Sequence, residues 1–361
     1  MVFRMIQAEF GDCLILETPD ADGVIRYILI DGGPERTYDD HLSGELDAIK
    51  QRGGQLDLVV LSHVDGDHIV GLLDLFSELL QRPQIPISQL WFNSFDKAIG
   101  QNNAIAVRVS AVFQQAGMQG VRMANTEEVT IQSINQGNKL RTRAQQLNIP
   151  INPNVPNGLL KATGNPFKLQ IGGITLTVVG PTARNLTELR KEWQKWLDKQ
   201  EEAVASADIE SFAMADESIP NLSSICLLAE SNGVRVLLTG DARGDHLLQG
   251  LKQTRLLQPD GSIDIDVLKV PHHGSDRNVT LDFFRKVRAR QYVISANGKH
   301  GNPDYDTLKW IVTAATVQQR PIELVLSNHT PLIQQFLDDF PQNENTYQIR
   351  FMPPGAHSMV V

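Results

Sequence analysis

The most informative segment of the chain reads Leu61-Ser62-His63-Val64-Asp65-Gly66-Asp67-His68. Within it lie four side chains that commonly bind divalent metals, namely His63, Asp65, Asp67 and His68. The apolar run at residues 58–61 is typical of a buried strand, and the helical spacing of apolar residues at 69–76 predicts a helix. The cluster is therefore expected in a loop between a strand and a helix. Imidazole and carboxylate ligands together suit zinc, manganese or iron.

A simpler alternative is an Asp-rich loop that only begins a helix, with Asp67 as the N-cap residue. Two histidines and two aspartates in this spacing argue against it. Such groups, crowded together without a cation, repel one another and are costly to desolvate. A metal site is therefore the preferred interpretation.

The composition excludes several classes of protein. A length of 361 residues without an obvious linker allows one large domain or two ordinary ones, and the net charge of −9 argues against non-specific coating of duplex nucleic acid. No apolar run approaches transmembrane length, and the first residues lack a signal-peptide pattern. Cys13 and Cys226 lie in apolar, strand-like segments, which favours buried thiols over a disulfide. We therefore expect a cytoplasmic protein without membrane contact.

Two later segments repeat the plan of an apolar strand followed by ligand-type residues. Residues 234–241 end in Thr239-Gly240-Asp241, and residues 267–275 end in His272-His273-Gly274-Ser275. Strands that each deliver ligands at one end fit one face of a sheet sandwich. Because adjacent strand residues face opposite ways, one histidine of the doublet is expected to be a ligand and the other to orient the loop or the substrate. The sequence leaves open which is which.

The motif formed by His63, Asp65, Asp67 and His68 resembles the signature of the metallo-β-lactamase fold, usually His-x-His-x-Asp-His, with Asp65 in place of the middle histidine. This variant resembles the hydrolase domain of the ComEC competence proteins and their bacterial stand-alone relatives. The resemblance covers residues 1–95 and 166–310. It implies an α+β fold, an αββα sandwich of two mixed β-sheets flanked by helices. We expect a single domain over 1–361, with a loop-rich insertion at 96–166 and a helix plus acidic loop at 183–220.

The resemblance also implies a centre of two divalent cations, zinc or manganese, with iron as an alternative. Asp241 would be the bridging carboxylate, and Asp67 and Asp241 would be catalytic. The full ligand set would be His63, Asp65, Asp67, His68, Asp241, His272 and His273. Gly11-Asp12 and Ile30-Asp31-Gly32-Gly33 resemble the opening segments of the family, and Asp31, Asn221 and Ser275 would support the ligands from behind.

The sequence departs from the family pattern at two places. In Gly301-Asn302-Pro303, Asn302 stands where relatives tend to have a histidine. His300, two residues earlier, is the candidate substitute and catalytic acid, and Asn302 remains a candidate substrate contact. Gly180-Pro181-Thr182 lacks the histidine usually supplied there. One cation is therefore expected to complete its ligand set with water or His300.

Residues 129–186 contain no aspartate or glutamate. The basic residues in this segment are Lys139, Arg141, Arg143, Lys161, Lys168 and Arg184. One interpretation is a polar, solvated insertion, with a helix near 107–115. The other is a basic rim that receives a phosphate-bearing substrate, with Arg141, Arg143 and Lys161 as the contacts.

The leading functional hypothesis is a metal-dependent phosphodiesterase or nuclease that uses a water activated by two metals. Its substrate would be a phosphodiester or a nucleic-acid-like molecule. An ester, thioester or lactone hydrolase on the same metals is the second hypothesis. The third is a regulatory metal-binding module with a protein partner in a bacterial defence or signalling assembly. The oligomeric state is not predicted.

Overall fold

Two β-sheets form the centre of the protein, which we describe from a computed structural model for residues 1–98, 125–206, 220–342 and 347–361. The strands in these residues are β1 (Val2–Ile6), β2 (Leu14–Pro19), β3 (Ile25–Ile30), β4 (Leu56–Val60), β5 (Leu90–Trp91), β6 (Lys168–Ile171), β7 (Ile174–Gly180), β8 (Cys226–Ser231), β9 (Val234–Leu238), β10 (Ile263–Lys269), β11 (Val287–Ile294), β12 (Ile322–Leu326), β13 (Tyr347–Phe351) and β14 (Ser358–Val360). The first sheet has six strands in the order β14-β1-β2-β3-β4-β5, and the second has eight in the order β13-β12-β11-β10-β9-β8-β7-β6.

Helices connect and cover the strands. The α-helices in the described residues are α1 (Ser43–Gln51), α2 (Gly66–Gln81), α3 (Phe95–Ala98), α4 (Asn125–Gln146), α5 (Ala183–Ser206), α6 (Gly244–Gln253), α7 (Leu281–Lys286), α8 (Tyr305–Val317) and α9 (Pro331–Asp339). A π-helical turn spans Tyr38–Leu42, and 3₁₀ turns span Pro156–Gly158, Pro220–Ser223 and Pro271–Gly274.

The apolar residues of the strands divide into three cores. In β2, Leu14 and Leu16 pack between the sheets, whereas Ile15 points outward to the layer of α1 and α2. In β9, Val236 enters the central core and Leu237 enters the layer of α6 to α9. Successive side chains of a strand face opposite ways. Because both the odd and the even positions of these strands are apolar, both faces of each sheet are covered by apolar side chains. The result is helix, sheet, sheet, helix, which confirms the predicted α+β sandwich.

The parallel strands of both sheets end at one edge of the sandwich. β3 runs parallel to β4 in the first sheet, and β9, β10 and β11 are parallel in the second. Loops that leave the carboxyl ends of parallel strands gather at a common edge, which is where α/β sheets usually carry their sites. The segments that contain Asp31, the 61–68 loop, Asp241 and the histidine doublet all leave strands at this edge.

The 96–166 insertion differs from its prediction. We expected a loop-rich segment, but residues 125–146 form the 22-residue helix α4, which packs along α2. Its composition is polar, and the buried side chains Leu140 and Ala144 attach it to the outer core. So few apolar positions give a weak periodic signal, although they suffice to dock a helix on a neighbour. The helix expected near 107–115 lies outside the described residues.

The predicted segment at 183–220, the two cysteines and the absence of membrane helices can be compared with the structure. The helix expected at the start of the 183–220 segment is present as α5. The acidic loop expected after it falls mostly on 207–219, outside the described residues. Cys13 and Cys226 are buried, free thiols, as predicted. Within the described part of the chain, no helix has the length and apolar character needed to cross a membrane.

Candidate metal centre

The loop after β4 brings its ligand-type residues to the start of α2. The helix begins at Gly66, with Asp65 in extended conformation as the N-cap residue. The alternative in which Asp67 caps the helix is therefore wrong. Asp67 lies in the first turn and His68 follows it, so both side chains emerge from a rigid helix beside the extended segment that carries His63.

Four imidazoles surround the carboxylate of Asp241, which is buried. Its Oδ1 atom lies 3.3 Å from Nε2 of His68. Its Oδ2 atom lies 3.5 Å from Nε2 of His272, 3.6 Å from Nε2 of His273 and 3.7 Å from Nε2 of His63. Side chains from both sheets thus meet on one carboxylate, each through the same ring nitrogen.

The other two aspartates divide these imidazoles into two groups. Asp67 Oδ2 lies 3.2 Å from Nε2 of His273 and 3.8 Å from Nε2 of His68. We call these three residues the Asp67 group.

Asp65 Oδ2 lies 3.5 Å from Nε2 of His63. His272 approaches the same Asp241 oxygen as His63 does, so we define the Asp65 group as Asp65, His63 and His272. Asp241 is shared between the two groups, as a bridging carboxylate would be.

The ring orientation of His63 and His68 depends on Asp31. Nδ1 of His68 donates to Asp31 Oδ2 at 2.8 Å. Nδ1 of His63 donates to Ser62 Oγ at 3.0 Å, and that hydroxyl donates to Asp31 Oδ2 at 2.7 Å. The backbone N–H of Ser62 occupies the other Asp31 oxygen at 2.7 Å. One buried carboxylate therefore holds both rings of the loop, in the supporting position that the sequence analysis gave to Asp31.

The rings of the doublet are oriented by neutral groups. Nδ1 of His272 donates to Asn278 Oδ1 at 2.8 Å, and the amide of Asn278 donates to the Asp241 carbonyl at 3.0 Å. Nδ1 of His273 donates to the Ser295 carbonyl at 2.9 Å. In all four histidines Nδ1 thus donates a hydrogen bond, which leaves Nε2 as the ring atom that faces the centre. This arrangement is typical of histidines that bind metals.

The doublet does not lie in a strand. His272 and His273 form part of a 3₁₀ turn and have φ angles of 48° and 54°. Neighbouring side chains in this turn need not face opposite ways as they would in a strand, and both rings reach Asp241. Ser275 closes the turn, since its N–H donates to the His272 carbonyl at 2.9 Å, and Asn302 donates to the same carbonyl at 3.4 Å. Asn302 thus contacts the backbone of the turn.

Gly240 marks the point where the loops of the two sheets touch. Its φ is 51°, and a Cβ atom here would lie 3.0 Å from Cβ of Ser62. Only glycine combines this backbone conformation with so close an approach. The residue therefore allows Asp241 and the 61–68 loop to come together.

The charges of the cluster favour bound cations. Burial alone would raise the pKa of Asp241, but the surrounding histidines, His68 first among them, hold it well below its usual range. Burial would lower the pKa of His273, yet Asp241 and Asp12 raise it to about 9. The carboxylates and imidazoles of the cluster therefore stabilise each other's charged forms, and bound cations would take the place of the imidazole protons as partners of the carboxylates.

Several buried polar atoms at the centre lack a hydrogen-bond partner. They are Nε2 of His63, His68 and His273 and Oδ1 of Asp241 and of Asp12. Leaving such atoms unpaired is costly, and all except Asp12 Oδ1 belong to the two groups around Asp241. The donor set of imidazole nitrogen and carboxylate oxygen therefore fits divalent cations.

Asp12 is close enough to this cluster to count among its candidate ligands. One atom from each of Asp12, His68, Asp241 and His273 lies within 4.8 Å of the others. However, Asp12 approaches His68 and His273 from their Nδ1 sides, at 3.9 and 3.5 Å, and it forms an ion pair with Lys269. We therefore place Asp67, which approaches the Nε2 atoms, ahead of Asp12 as a ligand.

Asp12 and Lys269 were not predicted as site residues from the sequence. Both side chains are only 1% exposed. The signal for Asp12 was the Gly11-Asp12 pair in the opening segment. The signal for Lys269 was its position as a charged residue inside the apolar run of β10. A lysine buried in a strand needs a partner of opposite charge, so this position indicates an ion pair.

Three predicted site residues make their contacts with residues other than the ligands. Arg141 and Arg143 lie on α4, where Arg141 donates to Asn138 Oδ1 at 3.1 Å and Arg143 donates to the Leu73 carbonyl at 2.9 Å. His300 is exposed, and its ring packs edge to face on Phe10 with 5.4 Å between centroids.

Lys161 and Asn221 lie near the segment that lacks the family histidine. Lys161 is half-buried, and the neighbouring Ala162 donates its N–H to the Pro181 carbonyl at 2.8 Å. Asn221 is buried and, with Gly180 and Pro181, lines a cavity of about 10 Å³. A cavity of this size holds about one water molecule.

A comparison with protein families gives one match. The profile described as the metallo-beta-lactamase superfamily matches residues 10–82, which contain Asp12, Asp31 and the 61–68 loop. The match covers less than half of the chain. A search of curated proteins gives no match.

Solved structures give distant similarities over most of the chain. Unliganded yeast PDE1 is 10% identical at a TM-score of 0.41, with coverage of 100% of this chain and 99% of that one. A diphosphatase from the PhnP family is 10% identical at a TM-score of 0.37, with coverage of 82% and 86%. A HARLDQ-motif mutant of a metallo-beta-lactamase from Cronobacter sakazakii is 11% identical at a TM-score of 0.32, with coverage of 88% and 92%. Such scores carry no argument about activity. The αββα sandwich and the profile match agree on a metallo-β-lactamase-like fold.

Proposed function

We propose that the chain is a metal-dependent hydrolase that acts on phosphodiesters, as a phosphodiesterase or a nuclease. One observation carries the proposal: four imidazole Nε2 atoms converge on the buried carboxylate of Asp241, and each ring is fixed through Nδ1 by another group. A structural histidine has no reason to present an unpartnered nitrogen to a buried carboxylate. Three of the four rings, those of His63, His68 and His273, do so, which points to cation binding.

Each group around Asp241 has the ligands for one divalent cation, zinc or manganese. The Asp67 group would hold one and the Asp65 group the other, with Asp241 between them. His272 would take the place of the family histidine that is absent at Gly180-Pro181-Thr182. Cations bound there would supply an activated water nucleophile and would stabilise negative charge at the attacked centre.

The residues of the chain perform three tasks in this account. Asp31 keeps His63 and His68 in the tautomer that presents Nε2. Asn278 does the same for His272 and also holds the backbone of Asp241. Hydrogen bonds of this kind fix both the orientation and the basicity of a ligand.

The centre opens to solvent on one side. The side chains of His272, Asp67 and Asp65 are 30%, 23% and 19% exposed, whereas those of His68 and His273 are 0% and 3% exposed. A substrate would therefore approach across the exposed edges of His272 and the two aspartates, while the remaining ligands stay shielded from water.

The preference for phosphodiesters rests on local charge. Residues 129–186 contain no carboxylate, although the whole chain is acidic. Of the predicted basic contacts, Lys161 is in the best place, since its neighbour Ala162 pairs with Pro181 at the end of β7. A cation near this edge would attract a phosphate anion, whereas an uncharged ester or lactone would gain nothing from it.

The test is a panel of substrates with purified protein and added zinc or manganese. We expect hydrolysis of bis-p-nitrophenyl phosphate and of single-stranded oligonucleotides, loss of activity in EDTA, and no faster turnover of a lactone. Lactone hydrolysis alone would replace the phosphodiester assignment by an esterase or lactonase. Metal binding without hydrolysis of any substrate would contradict the proposed activity and favour a regulatory metal-binding module.

A further inference from the structure

A buried lysine lies directly beneath the metal centre. Lys269 is the last residue of β10 and is 1% exposed. Its Nζ atom forms an ion pair with Asp12 Oδ2, lies 3.4 Å from the Gly240 carbonyl and lies 3.9 Å from Asp241 Oδ1. Burial of an ammonium is costly unless such oxygens surround it. The position is therefore specific, and no step of the proposed hydrolysis uses it.

Released from Lys269, Asp12 would be close enough to turn toward the Nε2 atoms and act as a further ligand. Its carboxylate lies within 4.8 Å of ligand atoms of His68, Asp241 and His273. The N–H of Asp12 donates to the Asp67 carbonyl at 3.2 Å, which ties this loop to the 61–68 loop. Asp12 Oδ1 has no hydrogen-bond partner, and the ammonium of Lys269 occupies Oδ2.

We propose that Lys269 determines the metal preference of the centre, because its ammonium occupies the carboxylate of Asp12 and so withholds an additional oxygen ligand. The inference rests on the proposed metal centre. Imidazole nitrogen suits zinc, whereas added carboxylate oxygens favour manganese and magnesium. With Lys269 in place, four histidines dominate the ligand set, and the centre favours zinc over manganese.

The charge of Lys269 is maintained by its neighbours. Burial would lower its pKa, but Asp12 and Asp241 outweigh that effect and raise the pKa above its ordinary value. Asp12 is equally buried, and the Lys269 ammonium occupies its Oδ2 atom. The two residues therefore form a fixed ion pair that links the first sheet to the second under the centre.

The experiment compares the affinities of zinc and manganese in the wild type and in Lys269→Met, which keeps the length of the side chain and removes its charge. The measured quantity is the ratio of the two dissociation constants at one pH. A change in electrostatic potential, or in the number of protons released, affects two divalent cations alike and cancels in the ratio. We expect the ratio to shift toward manganese by about tenfold, within the range seen when groups around metal ligands are changed.

Three further variants separate the alternatives. Lys269→Arg keeps a cation beside Asp12 and should retain the wild-type ratio. The double variant Asp12→Asn/Lys269→Met removes the carboxylate that would be released and should return to the wild-type ratio. Asp12→Asn alone should also leave the ratio unchanged, because Asp12 is not a ligand while Lys269 holds it. The Asp12→Asn result tests the proposal even where Lys269→Met fails to fold.

Two results would overturn the role of Lys269. One is an unchanged ratio in folded Lys269→Met. The other is a shift toward zinc in Asp12→Asn, which would show that Asp12 is already a ligand. Wild-type protein that binds neither cation would refute the metal centre itself, so the two failures are distinguishable.

Discussion

The 61–68 loop and the Pro271–Gly274 turn supply two histidines each, but they hold them differently. In the loop, His63 and His68 depend on one buried anion, Asp31. In the turn, His272 and His273 donate to two separate neutral groups, the Asn278 amide and the Ser295 carbonyl, and the Asp12 carboxylate lies farther from His273 Nδ1, at 3.5 Å. The same geometry at Nε2 is thus reached with a shared charged support on one sheet and with independent neutral supports on the other.

This difference predicts unequal sensitivity to mutation. A hydrogen bond to a charged acceptor is about twice as strong as one between neutral groups, and loss of the Asp31 charge affects two rings at once. Loss of the Asn278 amide affects His272, which is also the most exposed of the four histidines. We therefore expect the 61–68 loop to tolerate the loss of its support less well than the turn does.

The largest effect is expected where the two regions meet. Asp241→Ala removes the carboxylate that contacts all four histidines, and Asp67→Ala removes the partner of His273. Each should lower the hydrolysis rate by about 10³-fold or more, since the nucleophile and the developing charge both lose their support. Turnover is measured with bis-p-nitrophenyl phosphate, and circular dichroism verifies that the variants are folded. Wild-type turnover in either folded variant would remove that residue from the centre.

The next comparison concerns the supports themselves. Asp31→Asn keeps the shape of the side chain and removes its charge, and it should weaken zinc binding by about 10–100-fold. Asn278→Ala should weaken zinc binding by about tenfold or less, because it releases one ring from a neutral partner. Calorimetric titration with zinc gives both values. Equal losses of zinc affinity in Asp31→Asn and Asn278→Ala would mean that the charge of Asp31 does not hold the histidines more firmly than a neutral group does.

The scaffold of the Asp31 turn gives a third test. Gly71 of α2 packs against the Asp-Gly-Gly turn so closely that a Cβ atom would lie 2.0 Å from the Gly32 carbonyl oxygen. Gly71→Ala should therefore lower the free energy of unfolding by about 2–3 kcal/mol through overpacking. A Cβ atom on Gly44 of α1 would have no other atom within 4 Å. Gly44→Ala should therefore raise the free energy of unfolding by about 0.5–1 kcal/mol, because alanine favours the helix more than glycine does. Urea denaturation compares the two, and a harmless Gly71→Ala would show that the turn is not fixed by α2.

The smallest effect is expected at the basic residues. Lys161→Glu should raise KM for a phosphodiester by about three- to tenfold at low ionic strength, with kcat little changed, because the contact stabilises ground state and transition state alike. Arg141→Glu, where the arginine donates to Asn138 on α4, is the matched charge reversal and should leave KM unchanged. The rise in KM should fade as salt is added. If Arg141→Glu alone raises KM, the substrate contacts α4 instead.

The parts of the site whose residues are adjacent in the chain could be predicted from the sequence, and the parts assembled from distant segments could not. Residues 63–68 form a local pattern whose chemistry is visible without any fold, and the strand and helix around them were predicted correctly. The helix α4 was missed because its polar composition hides the few side chains that dock it. The doublet was placed in a strand because nothing in its residue types indicates left-handed backbone conformations.

The pairing of Asp12 with Lys269 lies beyond any local pattern. The two residues are 257 positions apart, since 269 − 12 = 257. Asp12 lies in the loop between β1 and β2 of the first sheet, and Lys269 ends β10 of the second. Their contact follows only from the way the sheets close on each other. A lysine within an apolar strand signals that a partner exists, but only the fold identifies the partner.

The most direct test of the account is the metal content of the wild-type protein. After saturation with zinc or manganese and removal of excess metal, elemental analysis should give close to two cations per chain, one for each group around Asp241. Asp241→Ala should retain far less. Absence of bound metal after incubation with zinc, manganese and iron in turn would contradict the reading of the four converging histidines as ligands.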